Sequence, residues 1–169
     1  MKAVIISGTP GTGKTTLSKK LAKRLGFHYT DVNKLISGCK LSESYDIKRK
    51  TKIVDIAKLN KALIKEINTL TKKNNKKFKK IKGIIIDSHL SHYLSKKYVD
   101  LCIITKCDIS ELNKRLKKKG YGKNKIQENL QAEIFDVCLN EAREMKHKIL
   151  IIDTTKGFNI EAIARKAGG

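Results

Sequence analysis

At 169 residues the chain fits one domain, long enough to bury about 70% of its unfolded surface, and no run approaches the ~20 apolar residues of a membrane helix. Its 38 Lys+Arg against 16 Asp+Glu give a net charge of +22, which fits either a polyanionic partner, RNA foremost, or a compositional excess of Lys without functional meaning. Lys supplies 33 of the basic residues and aromatics are 5% of the chain, which argues against a dedicated base-reading module built on stacking rings and bidentate arginines.

The chain opens on an apolar, β-branched run, residues 2–7, that reads as a buried parallel strand. A chain starting on a core strand is expected to carry no signal peptide. Gly8-Thr9-Pro10-Gly11-Thr12-Gly13-Lys14-Thr15 follows and fits G-x-x-x-x-G-K-[ST] at every fixed position. Residues 16–25 then place Leu17, Leu21 and Leu25 at helical spacing before Gly26. Strand, glycine loop and helix are the context a phosphate-binding loop requires. Its glycines let backbone N–H groups crowd around phosphate oxygens, and the helix N-terminus adds partial positive charge. Lys14 reaches the outer phosphates of a nucleoside triphosphate such as ATP, and the Thr15 hydroxyl is a ligand for Mg²⁺.

Residues 27–32 read as a second strand and 33–40 as a short helix closed by Gly38. Residues 41–52 are polar and read as an irregular excursion from the core. Residues 55–70 form an amphipathic helix with Ile56, Leu59, Leu63, Ile67 and Leu70 on one face. The seven lysines of residues 72–82 fit a solvated loop or a contact for a phosphate backbone. Further strands are expected at 82–87, 99–105 and 148–152, and further helices at 109–119, 125–146 and 159–167. The helix at 125–146 is expected to bury Ile126, Leu130, Ile134, Val137 and Leu139. Strands alternating with helices predict a parallel sheet with right-handed crossovers and an active site at the strands' carboxyl ends. Cys39, Cys102, Cys107 and Cys138 show no C-x-x-C spacing, so they read as reduced, buried thiols in an intracellular, cytoplasmic protein, and a zinc-stapled lid is not expected.

Asp87 ends a buried strand, the position of the second Mg²⁺-organising carboxylate in phosphate-loop proteins, or alternatively caps the next turn. His89, two residues on, either acts on an attacking water or packs. His89 and His92 make only a weak metal pair, with no third ligand in sight. Thr105-Lys106-Cys107-Asp108 imitates a guanine-reading motif, which keeps a GTPase as a remote alternative. Asp108 followed by Glu111 is also a helix capping box. Arg115 and the basic segment around Lys119 end one helix, where cations on a hinged loop can close over phosphates. Lys156 lies in the loop after the last strand, beside a place for an adenine ring.

Four segments together carry a family resemblance: residues 8–16, Tyr45-Asp46, Asp87-Ser88-His89-Leu90-Ser91-His92, and Arg115-Leu116-Lys117-Lys118-Lys119-Gly120-Tyr121 followed by Asn129-Leu130-Gln131-Ala132-Glu133-Ile134. The chain resembles the atypical adenylate kinase family of archaea and the eukaryotic nucleus, also known as the coilin-interacting nuclear ATPase type. The resemblance implies a P-loop kinase fold with strand order 2-3-1-4-5, a monophosphate-binding arm at about 31–54 and a lid at about 118–128. It implies phosphoryl transfer from ATP to AMP or another nucleoside monophosphate, ATPase activity and a monomer. It also implies a role in maturing the small ribosomal subunit through a ribosomal protein, with rRNA nearby. The alternative is an ATP-driven assembly switch with little kinase activity. Implied ATP contacts are Gly11, Gly13, Lys14, Thr15, Thr16, Arg115, Lys119 and Lys156; implied catalytic groups are Lys14, Asp87 and His89, with Thr15 and Asp87 on the metal. Two positions depart from the family. Lys119 stands where Arg is usual, so a bidentate clamp becomes a point charge. Ser37 stands where nucleotide kinases place an AMP-binding Arg.

Overall fold

The structure, a computed structural model, describes residues 1–38, 42–46, 51–73 and 81–168. In chain order the elements are β1 (Lys2–Ser7), α1 (Lys14–Leu25), β2 (His28–Asp31), α2 (Val32–Gly38), β3 (Ser42–Asp46), β4 (Thr51–Val54), α3 (Ile56–Lys73), β5 (Gly83–Asp87), β6 (Leu101–Lys106), α4 (Ile109–Lys118), α5 (Lys123–Ile134), α6 (Val137–Glu144), β7 (Ile149–Asp153) and α7 (Ile160–Gly168). Five strands pair in the order β2-β5-β1-β6-β7, and all four pairings are parallel. Counting these core strands alone, the order is the expected 2-3-1-4-5.

The two-residue period of β1 divides the core. Ala3 and Ile5 join Leu59, Leu63, Ile84 and Ile86 on one face of the sheet. Val4 and Ile6 join Leu17, Leu21, Ile85, Ile103 and Ile163 on the other. Strands covered on both faces need continuous apolar sequence, which β1, β5 and β6 have. The register sets Ile6 opposite Asp87, and Asp87 opposite Asp31, so the carboxyl ends of β1, β5 and β2 come level. The phosphate loop starts at that level.

Two expectations need correction. Among the described residues of 41–52, expected to be irregular, 42–46 and 51–52 are strand: β3 and β4 pair antiparallel, with Tyr45 opposite Lys52 and Asp46 opposite Thr51. These short strands, Ser-Glu-Ser-Tyr-Asp and Thr-Lys-Ile-Val, lack the sustained alternation by which half-buried strands are read. Nor is 125–146 one helix. α5 stops at Ile134, Asp136 adopts a left-handed conformation with φ 53°, and α6 begins at Val137. Lys106 holds the break by donating to the Glu133 carbonyl at 2.8 Å and the Asp136 carboxylate at 2.5 Å. As a result Ile126 and Leu139 are buried, while Ile134 is 57% and Val137 37% exposed. Residues 74–80 of the lysine-rich run, and Cys39, lie outside the described residues. No helix among the described residues is long and apolar enough to cross a membrane.

Candidate active site

The phosphate loop is shaped by backbone that only glycine adopts without strain. Gly8, Gly11 and Gly13 have φ of 137°, 97° and 87°. A Cβ on Gly8 would stand 2.5 Å from the Thr105 carbonyl oxygen, and one on Gly11 would stand 2.8 Å from Leu112. The loop is therefore pressed between β6 and α4. Threonines brace it: the Thr12 and Thr105 hydroxyls meet at 2.6 Å, and the Thr154 hydroxyl donates to the Thr12 carbonyl at 2.7 Å. Gly13 caps α1 without a side-chain hydrogen bond, so the N-terminal N–H groups of this helix are presented by bare backbone.

Lys14 donates from Nζ to the carbonyls of Gly8 at 2.8 Å and Thr9 at 2.9 Å. Its ammonium thus lies along the loop, with loop carbonyls where phosphate oxygens would compete. Desolvation lowers its pKa to about 8, against the attraction of Asp87 and other acidic neighbours. The Thr15 and Thr16 side chains are exposed at the start of α1.

Asp87 is 4% exposed at the end of β5 and accepts a hydrogen bond from the Tyr29 hydroxyl at 3.0 Å. A buried carboxylate and a helix-start hydroxyl are hard oxygen donors, the set that suits Mg²⁺. His89 stands at the mouth of a cavity of about 280 Å³ that Thr9, Pro10, Tyr93, Asn129 and Glu141 also line. Crowding by the cavity walls and then the charge of Lys14 lower its pKa to about 4. The ring nevertheless keeps open surface. Solvent there moderates the shift without reversing it, and the imidazole is neutral at pH 7. His92 lines the same cavity; it is 1% exposed, its Nδ1 2.7 Å from the Ser7 hydroxyl.

The side chains that imitate a guanine-reading motif make structural contacts. The Asp108 side chain accepts from the Glu111 N–H at 3.1 Å as the N-cap of α4, and Lys106 is committed to the α5–α6 break. Arg115 is also committed, to the Glu111 carboxylate at 2.9 Å and to the carbonyls of Thr154 at 2.9 Å and Thr155 at 3.0 Å. It holds the loop after β7. Lys119 caps the C-terminal end of α4, and the Lys119 and Lys156 side chains are exposed on their loops.

Sequence reasoning missed Thr105 and Thr154, whose braces join β6 and the β7 loop to the phosphate loop. It also missed Tyr29 on Asp87 and the buried Glu133 carboxylate, which accepts from the Cys107 N–H at 2.9 Å. Of these only Glu133 carried a signal, as a member of the segment that bears the family resemblance.

Residues 4–136 match the family model described as an AAA domain. Archaeal relatives named "Putative adenylate kinase" align along most of the chain. That of Methanocaldococcus jannaschii is 40% identical over 152 residues, covering 90% of this chain and 76% of the relative. That of Methanosarcina acetivorans is 37% identical over 150 residues, covering 89% and 76%. Among solved structures, a sugar kinase from Janibacter superposes with a TM-score of 0.60 at 15% identity, over 99% of this chain and 92% of that one. Shikimate kinase from Acinetobacter baumannii superposes with a TM-score of 0.55 at 13% identity, over 98% and 90%. These structural likenesses carry the P-loop kinase fold.

Proposed function

The chain belongs to the AAA-domain family that includes these archaeal adenylate kinase relatives, and from that premise we propose that it is a nucleoside-monophosphate kinase, converting ATP and AMP to two ADP. The observation that carries this reading is the loop of three left-handed glycines closed by Lys14, with the Asp87 carboxylate near enough to act on that lysine. In this reading Gly11, Gly13, Thr16 and the N–H groups of α1 hold the triphosphate. Lys14 leaves the Gly8 and Thr9 carbonyls to pair with phosphate oxygens. Thr15 and Asp87 would hold Mg²⁺, which would supply charge neutralisation at the phosphates.

An oxygen of the acceptor's phosphate forms the new bond to the γ-phosphorus, the bond from that phosphorus to the β–γ bridging oxygen breaks, and ADP leaves. The acceptor phosphate is already ionised at neutral pH, so this step needs no general base. The acceptor occupies the cavity beside Thr9 and Pro10, and residues 31–54 serve as its monophosphate-binding arm. Residues 118–128 act as a lid that brings Lys119 toward the phosphates, and Arg115 positions the loop of Thr154, Thr155 and Lys156 that borders the base. ATPase activity accompanies the transfer, with water replacing the acceptor and His89 as its neutral base. Other nucleoside monophosphates are accepted besides AMP.

The family resemblance extends the proposal to a monomer acting in the cytoplasm on small-subunit maturation, through a ribosomal protein and rRNA. A second reading, an ATP-driven assembly switch with little transfer, is favoured by Lys119 and Ser37 in place of arginines. Product analysis separates the two. Incubation with ATP, Mg²⁺ and each monophosphate in turn should convert AMP to ADP. ADP and inorganic phosphate with the monophosphate untouched would instead select the switch.

A further inference from the structure

Three side chains converge on one wall of the cavity, and one of them, Cys138, also accepts a hydrogen bond from the Gly8 N–H of the phosphate loop. His92 lies in the short turn Ser91–Tyr93 after β5, and Cys138 and Glu141 stand one helical turn apart on α6. One ligand atom from each, a ring nitrogen, a thiol sulfur and a carboxylate oxygen, fall within 4.8 Å of one another.

The Ser7 hydroxyl lies 2.7 Å from Nδ1 of His92, and the proton between them can sit on either atom. A metal selects the tautomer with that proton on Nδ1. That tautomer leaves a lone pair on Nε2. That nitrogen is buried without an aligned hydrogen-bond partner, although Glu141 Oε2 is 2.9 Å away. In that tautomer two acceptors held so close repel each other unless a cation lies between or beside them. The other Glu141 oxygen accepts from the Tyr93 hydroxyl at 2.6 Å. A histidine oriented through its second nitrogen and a carboxylate held by an outer hydrogen bond are the supports that metal ligands carry. The order Ser7–His92–Glu141 also imitates a nucleophile–base–acid chain, but Ser7 is 0% exposed and no substrate reaches it.

We propose that His92, Cys138 and Glu141 form a binding site for a zinc-class divalent transition ion, with the fourth coordination position facing the cavity. One nitrogen, one thiolate and one carboxylate are a donor set for such ions and not for Mg²⁺, whose preference is for oxygen. Binding displaces the Cys138 thiol proton to solvent as the metal–sulfur bond forms. The ion ties α6 to the turn after β5 and so stiffens one wall of the cavity. The site stands independently of the kinase reading, because its test reads metal binding and no turnover. A proton shared by His92 and Glu141 is the competing account of their contact, and in that account Cys138 only receives the Gly8 N–H.

The test is titration of the metal-free protein with Co²⁺ alone, in a reductant that does not bind metal. One ion per chain should bind, with a thiolate-to-cobalt charge-transfer absorption in the near ultraviolet and the strong visible bands of tetrahedral cobalt. Zn²⁺ should bleach both, and excess Mg²⁺ should leave them. Cys138→Ser should abolish the charge-transfer absorption and weaken binding at least about tenfold, while Cys107→Ser keeps both. Glu141→Gln, which retains an oxygen for Tyr93, should also weaken Zn²⁺ at least about tenfold and serves if the serine variant does not fold. Absence of the charge-transfer absorption overturns the proposal, as does its survival in Cys138→Ser or unchanged affinity in Glu141→Gln.

Discussion

Lys14 rests on the carbonyls of its own loop, and burial holds its pKa near 8, against the attraction of Asp87 and other acidic neighbours. Phosphate favours the charged ammonium. Below pH 8 the free protein already carries that charge, so affinity for ATP is full. Above it the lysine must take up a proton on binding, so affinity should fall by up to about tenfold per pH unit. Calorimetry at pH 9 in buffers of different ionisation enthalpy should register this uptake, and Lys14→Ala should fold, lack the uptake and lose turnover. A flat profile from pH 7 to 10 would remove Lys14 from the phosphates. Asp87 and His89 should separate kinetically. Asp87→Asn should depress phosphotransfer and hydrolysis together, because both need the metal's charge. His89→Gly should harm hydrolysis more, by about 10²-fold, since only water needs a base. A lowered pKa keeps the ring neutral but makes it a weaker base, so that loss belongs at the low end of the range for general bases. Equal losses would leave His89 a positioning role. Lys14, Thr15 and Asp87 were legible because a fixed motif and a strand end mark them. Thr105, Thr154 and Tyr29 were not, because their partners lie 93, 142 and 58 positions away and no local pattern encodes such pairs.

α4 shows how an element resolves an ambiguous motif. The carboxylate of Asp108 is spent on the first turn of its own helix. Asp108→Ala should therefore cost about 1 kcal/mol of stability, read by denaturant unfolding, and leave the preference of ATP over GTP unchanged. A shift in that preference would restore Asp108 to base recognition. The remaining helices were legible where an apolar stripe repeats at helical spacing, as in α1 and α3. The α5–α6 break was not, because 125–146 keeps helix-forming residues throughout. The break is held by Lys106, distant in sequence, which bonds the Glu133 carbonyl near the end of α5 and the Asp136 carboxylate. The β3–β4 pair escaped for a different reason: the strands are short, β3 is polar, and both are set by pairing with each other.

The whole sheet was legible in a stronger sense than any single site. Continuous apolar strands alternating with helices admit few parallel topologies, and the family resemblance selected the order that the pairings display. The net charge of +22 belongs to this scale too, since no local structure depends on it. If it serves the proposed rRNA contact, single-stranded RNA of arbitrary sequence should bind at about 50 mM salt and lose affinity about 10³-fold by about 200 mM. No binding at the lower salt would make the lysines compositional. The central claim, phosphoryl transfer between nucleotides on the Lys14 loop, meets its most direct test in the fate of the γ-phosphate. With ATP labelled there, Mg²⁺ and AMP, the account predicts label in newly formed ADP, dependent on AMP and lost in Lys14→Ala. Label appearing only as inorganic phosphate, at a rate indifferent to AMP, would contradict it.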